Sequence, residues 1–312
     1  MKTKTALTLA LVLTMLCMTY ATAQEEETPY DRTIDQVYAT VGETDLYMDI
    51  FVPNGNARKE FYQPNDNGKG RAIIDVVSGA WYSDRGKLKD HAEAQIYNIL
   101  CARGYTVFAI RPGTRPHYTA LQMVEHVKRG IRYVKAHASQ YGIDPKRLGL
   151  TGASAGAHLA SLTTALAEDG DPKAEDPLLR LSTHVKAVGI FFPPTDFLNW
   201  EGKNLEEVAE LVGDILFQKG AAGHSLDEVR VQAKAASPLH QIKGKTPPFL
   251  IFHGDADPLV PLQQSQIFVQ ALKAAGNDAQ LIVKPGGGHP WLTIPIEVIQ
   301  LADWFDKQLA GK

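Results

Sequence analysis

The chain has 312 residues, 44% of them apolar, and its 32 Lys and Arg nearly balance 35 Asp and Glu for a net charge of -3. That balance carries no basic footprint for nucleic acid or for an anionic membrane surface. The length suits one large α/β domain.

At the N-terminus, Met1 to Lys4 is basic, Ala6 to Met18 is apolar, and Ala21-Thr-Ala23 is a run of small residues. This is the pattern of an export signal cut after about Ala23. The apolar run is too short to span a bilayer, which takes about 20 apolar residues. Cleavage would leave Cys101 as the one cysteine, so no internal disulfide can form. That fits a secreted or periplasmic bacterial protein. The expected organisation is a signal peptide over 1–23 and a single α/β domain over 24–312. Cys101 lies among Ile96, Ile99 and Leu100, and so reads as a buried packing residue.

In chain order, Gln36 to Val41 and Asp45 to Val52 alternate apolar and polar residues around Gly42, which predicts an antiparallel hairpin. Pro53 to Gly70 is rich in Asn, Gly and Pro and predicts a surface loop. Ala72 to Val77 predicts a central strand, followed by the tight loop Ser78 to Asp84. Asp90 to Arg103 has helical periodicity and stops at Gly104. Tyr105 to Ile110 predicts a strand, and Leu121 to Tyr141 a long amphipathic helix. Leu148 to Gly152 is a short apolar run that leads into Ala153-Ser-Ala-Gly156, and Ala157 to Ala167 can form a helix. Lys186 to Phe192 predicts a strand.

The segment from about 199 to 245 is more charged, with helical patterns over Leu205 to Phe217 and Ser225 to Ala235. Because it separates two core strands, it reads as a small cap inserted into the domain. Pro248 to Phe252 and Ala279 to Lys284 predict the last strands. Leu262 to Ala275 and Ile294 to Leu309 predict the last helices. Strands alternating with helices imply a mostly parallel sheet covered on both faces.

The chemistry centres on Gly152-Ala-Ser-Ala-Gly156. A serine at a strand-to-helix turn adopts a strained backbone, and its neighbours two residues away must be small. The helix start also offers backbone N–H groups where negative charge develops in acyl transfer. Ser154 is therefore the expected nucleophile, in the G-x-S-x-G context of strand, turn and helix. A serine needs a base, and the base an orienting acid. Both belong in loops beyond the carboxyl ends of strands. Asp257 follows one such strand and His289 another, in the order Ser, Asp, His that this arrangement imposes. Asp255 is the rival acid. Asp257 is preferred because Pro258 and Leu259-Val-Pro261 follow it, while Asp255 suits local turn hydrogen bonds. Among the other histidines, His158 suits packing or surface and His253 suits shaping the acid loop.

These residues resemble the α/β-hydrolase superfamily. The likeness is greatest to small carboxylesterases of the hormone-sensitive-lipase and feruloyl or acetyl-xylan esterase type, and it covers roughly Tyr38 to Leu309. The resemblance implies an α/β-hydrolase fold with a mostly parallel, eight-stranded sheet, helices on both faces and a small helical cap. It implies a serine hydrolase that cleaves carboxylic esters through an acyl-enzyme. An H-G-G-G-W motif supplies oxyanion-hole N–H groups in that group, and Val77-Ser-Gly-Ala-Trp81 stands in its place here. By position, Gly79, Ala80 and Ala155 would form the hole, with Trp81 and Tyr82 lining the substrate pocket. Val77 replaces the histidine that supports the loop. The resemblance also makes Asp196 a structural residue at a strand end.

No Cys/His cluster has metal-ligand spacing, and no G-x-G-x-x-G or Walker pattern occurs. No cofactor and no metal is expected. The expected partner is a small-molecule or carbohydrate ester, with no nucleic acid and no membrane span in the mature chain. A prolyl-oligopeptidase-like peptidase shares the triad but carries an N-terminal propeller that this sequence does not show. A non-catalytic binding protein on the same fold would usually have lost a triad residue, and all three are present.

Overall fold

The computed structural model describes residues 28–56 and 64–310. The export signal expected over 1–23 lies outside them. Strands β1 (Tyr30–Val41) and β2 (Thr44–Pro53) form the expected hairpin, longer at the outer ends than the alternation predicts. The pairing slips between Thr33 and Gln36 and between Val37 and Ala39. Bulges of this kind break the strict period of two that the sequence reading relies on. β3 (Ala72–Val76) is buried along its whole length.

The single helix expected over Asp90 to Arg103 is two helices, α1 (Arg85–Glu93) and α2 (Ile96–Ala102). Gln95 separates them in the left-handed region at φ 64°. The reason for the break is Asp75. This carboxylate is fully buried in β3 and needs partners. His91 Nδ1 of α1 lies 2.8 Å from Asp75 Oδ2, and the Tyr97 hydroxyl of α2 donates to the same oxygen at 3.0 Å. The bend aims both helices at one acid. Cys101 is buried, as its apolar neighbours predict.

β4 (Thr106–Ile110) leads to α3 (Ala120–Ala136). The Thr119 and Gln122 side chains form a capping box at the start of α3. α3 ends a turn earlier than its amphipathic pattern, and the chain reaches Gly142 through turns. β5 (Leu148–Ala153) runs directly into α4 (Ala155–Ala165). β6 (Ala187–Phe191) is followed by the inserted segment, which holds α5 (Leu205–Leu216), α6 (Leu226–Ala236) and the short α7 (Pro238–Gln241). Asn204 with Glu207, and Ser225 with Glu228, close capping boxes on α5 and α6. β7 (Phe249–Gly254), α8 (Gln263–Ala274), β8 (Ala279–Lys284) and α9 (Ile294–Gln308) complete the chain.

The eight strands form one sheet in the order β1-β2-β4-β3-β5-β6-β7-β8. From β4 onward all neighbours are parallel, while β2 pairs antiparallel with both β1 and β4. Two apolar cores lie on opposite faces. One joins α3, α4, α8 and the insertion through residues such as Met123, Leu159, Val212 and Phe268. The other joins α1, α2 and α9 through Leu88, Leu100, Leu301 and Phe305. Burying each such side chain contributes about 1.5–3 kcal/mol. Covered on both sides, the sheet has free edges only at β1 and β8.

Candidate active site

The elbow is built by close contact. Ser154 sits at φ 53° and ψ -119° between β5 and α4. Its N–H donates to the Phe191 carbonyl at 3.0 Å, and its own carbonyl accepts from His158 N–H at 2.9 Å. A Cβ on Gly156 would come within 2.1 Å of the Val76 carbonyl oxygen, and one on Gly152 within 2.7 Å of the Gly156 backbone. Only glycine fits at either place. This is the spacing rule behind G-x-S-x-G, expressed in distances.

His289 Nε2 lies 2.9 Å from Ser154 Oγ, and His289 Nδ1 lies 2.7 Å from Asp257 Oδ2. The structure thus brings together the three residues that sequence order singles out, from the ends of β5, β7 and β8. Asp257 is tightly held. Its Oδ1 accepts from the N–H groups of Leu259 and Val260 at 2.8 and 3.0 Å. His253 Nε2 lies 3.5 Å from Asp257 Oδ2. Burial alone would raise the Asp257 carboxyl. The His253 and His289 imidazoles and the Val260 N–H outweigh it and hold the group well below the usual carboxylate range. Asp255 faces elsewhere, accepting from Gly286 N–H at 2.6 Å.

The loops that carry Asp257 and His289 also interlock. Ala256 N–H donates to the Gly287 carbonyl, and a Cβ on Gly254 would fall 2.1 Å from that oxygen. His253 supports the acid loop as expected, bonding the Ser265 hydroxyl at 2.7 Å and donating to the Val260 carbonyl at 2.9 Å.

Three residues escaped the sequence reading. The Phe192 ring packs on the His289 imidazole with centroids 4.4 Å apart, from a backbone at φ 39°. Trp291 packs on Phe192, and its indole N–H donates to Glu297 at 2.9 Å. An aromatic pair at a strand's end and a tryptophan two residues past a histidine carry no motif, so nothing in the pattern marks them.

The loop after β3 requires a correction. Gly79 and Tyr82 exchange both backbone hydrogen bonds at 2.9 Å. Ala80 and Trp81 between them have φ 48° and 60°. That is a type I′ turn. The Gly79 N–H is engaged by Tyr82 and is not available for an oxyanion. Among the described residues, the Ala80 and Trp81 N–H groups have no acceptor. Ala155 opens α4, where the first N–H groups lack intrahelical partners.

Trp81 itself is 6% exposed and packs between His158 and Phe197, so its indole is core rather than pocket wall. Tyr82 is exposed, with the Arg115 guanidinium 5.1 Å from its ring centroid. No histidine at position 77 is needed to hold the turn. Arg115 N–H donates to the Trp81 carbonyl, Ser83 N–H to the Thr114 hydroxyl, and the Trp81 indole N–H to His158 Nδ1.

His158 is not a surface residue. It is fully buried, and its Nε2 donates to the Ala236 carbonyl at 2.7 Å. Asp196 is structural, as the resemblance implies, accepting from Leu198 N–H and His240 Nε2.

The insertion packs beside this turn. Arg115 pairs with Asp214 of α5 at 3.2 Å. A cleft of about 540 Å³ opens there, lined by Arg115, Glu206, Asp214, Ala221 and His224 among others. Among the described residues no group of three or more His, Cys, Asp or Glu could hold a metal ion, and no helix is long and apolar enough to cross a membrane.

Comparison with known proteins agrees with this architecture. Esterase LipC of Mycobacterium tuberculosis is 28% identical over 218 residues, 70% of this chain and 52% of LipC. Esterase LipQ of the same organism is 31% identical over 207 residues, 65% of this chain and 46% of LipQ. The chain therefore spans about half the length of these relatives. Among solved structures, a truncated carbohydrate esterase from gut microbiota superposes with a TM-score of 0.72 at 26% identity, covering 91% of this chain and 99% of that one. The propionate-bound esterase Est2 of Thermogutta terrifontis follows with a TM-score of 0.65 at 26% identity, covering 92% and 98%. The BD-FAE family profile matches residues 60–272, more than half of the sequence, and with the sheet order and the elbow it places the chain in the BD-FAE family of α/β-hydrolases.

Proposed function

We propose that the chain is a serine hydrolase of carboxylic esters, with Ser154 as nucleophile, His289 as general base and acid, and Asp257 as the orienting acid. The observation that carries this reading is the unbroken hydrogen-bond chain from Ser154 Oγ through both ring nitrogens of His289 to Asp257. The esterase names of LipC, LipQ and Est2 support it.

The Ser154 hydroxyl proton passes to His289 Nε2 as Oγ attacks the acyl carbon. The carbonyl electron pair moves onto oxygen, facing the N–H of Ala155 and those of the turn residues Ala80 and Trp81. Asp257, ionised and fixed, stabilises the imidazolium. Collapse expels the alkoxide, which takes the proton from His289 Nε2, and Ser154 is left acylated. Water then repeats the cycle, releasing the carboxylic acid and restoring the serine.

The finer reading is an ester on a plant polysaccharide or its fragments, an acetyl or feruloyl group. The structural likeness to a carbohydrate esterase supports it. So does the cleft between Arg115 and the insertion, whose Arg, Glu, Asp and His side chains suit a hydroxyl-rich alcohol part. The deciding experiment is a panel of p-nitrophenyl esters, aminoacyl-anilides, and acetylated and feruloylated xylan. Cleavage of the esters and the substituted xylans, with the anilides untouched, is expected. Turnover of anilides alone would replace the esterase with a peptidase.

A further inference from the structure

The two central residues of the turn after β3 are strained. Ala80 and Trp81 both occupy the left-handed region that bulky side chains avoid. Such a conformation is costly and persists only where its surroundings hold it. One anchor of the turn comes from the elbow helix itself. The Trp81 indole N–H donates to His158 Nδ1 at 3.1 Å, and His158 lies one helical turn past Ser154, its N–H bonded to the Ser154 carbonyl.

The partners decide the tautomer. An indole N–H can only donate, so His158 Nδ1 must present a lone pair. The Ala236 carbonyl can only accept, so Nε2 must carry the proton. A neutral, fully buried imidazole with both nitrogens engaged cannot serve as a second base. It can serve as a fixed reference between the nucleophile's helix and the turn.

We propose that His158 is a positioning residue for the oxyanion hole. Through the Trp81 indole it sets the free N–H groups of Ala80 and Trp81 at the right place relative to Ser154. This rests on the reading of Ser154 as nucleophile.

The test separates the two ring nitrogens. Asn at 158 can place an amide oxygen near the Nδ1 position and keep an acceptor for the indole. Gln can place an N–H near the Nε2 position and keep only the bond to Ala236. With p-nitrophenyl acetate, His158→Leu is expected to lower kcat about 10–100-fold with little change in KM, because a misplaced oxyanion donor is felt in the transition state. His158→Asn should recover most of that loss and His158→Gln little. Trp81→Phe should resemble His158→Leu, and the double variant should be no slower than the slower single one, since both break one contact. Circular dichroism on each protein reports folding. If His158→Leu does not fold, the ranking of Asn against Gln decides the matter.

Parental kcat in His158→Leu, a loss confined to KM, or better rescue by Gln would overturn the inference. Ser154→Ala separates this failure from the other. If Ser154→Ala is inactive while the His158 series keeps parental kcat, only the positioning role falls. If Ser154→Ala keeps turnover, the nucleophile assignment falls and this inference with it.

Discussion

Two carboxylates stand two residues apart in the loop after β7, and they do different things. Asp257 bonds His289, and Asp255 bonds the Gly286 N–H at a turn. Asp257→Asn keeps the shape but offers an amide where His289 Nδ1–H needs an acceptor. It should lower kcat about 10²–10⁴-fold. Asp255→Asn should cost far less. Steady-state kinetics on one ester compares them, and the reverse ranking would mean that Asp255 is the orienting acid. Much of this was readable, because D-P-L-V-P after a strand and three glycines before a histidine are local patterns. The engagement of Gly79 was not. Whether an N–H is free depends on a bond three residues away, and that bond exists because Ala80 and Trp81 adopt positive φ against their own preference. No pattern of residue types announces such a choice. Trp81 turned inward for a related reason: its acceptor, His158, lies 77 residues away.

At the scale of elements, the strands were legible because both faces of the sheet are covered and each reads as an apolar run. The helix ends were less so. The break at Gln95 answers to Asp75, a partner distant in sequence, and periodicity cannot see it. The charged insertion was visible as a change in composition, and it packs against the residue that anchors the turn. α5 meets Arg115, and Arg115 meets both Tyr82 and the Trp81 carbonyl. If the cleft there receives the alcohol part of the ester, bulk placed at its rim should discriminate by substrate size. Ala222 also lines the cleft, and Ala222→Trp is expected to lower kcat/KM on substituted xylan fragments about tenfold while changing p-nitrophenyl acetate little, as one obstructed contact in a pocket would. Equal losses on both substrates, or none on either, would remove the cleft from substrate recognition.

For the whole molecule, buried histidine chemistry predicts a stability that depends on pH. Burial depresses the His158 pKa to about 4, although its bond to the Ala236 carbonyl works the other way. In the unfolded chain a histidine titrates near about 6.5. The unfolded state therefore takes up a proton, and the native state does not, as pH falls from about 6.5 to about 4. The contribution is fully present above that window and is lost through it, to the extent of roughly 3 kcal/mol. The low Asp257 pKa acts in the same direction at still lower pH. Denaturant unfolding at pH 7 and pH 4.5 should show the drop, and His158→Asn should show a flatter profile. Parallel profiles for the two proteins would assign the acid lability to other groups.

The sheet order has a consequence for how the protein dies on heating. Ser154 hangs from β5, which has neighbours on both sides, whereas His289 follows β8, which has a neighbour on one side only. Local opening draws first on segments with the fewest buried contacts. Thermal inactivation should therefore begin as the departure of β8 and the loop that carries His289, with Ser154 still in place. Turnover would vanish at a lower temperature than the far-ultraviolet signal of the sheet. Hydrogen exchange would run faster through Ala279–Lys284 than through Leu148–Ala153. On brief heating, a protein with this order of failure recovers its activity on cooling, because the damaged part is the rim and the template for its return is still standing.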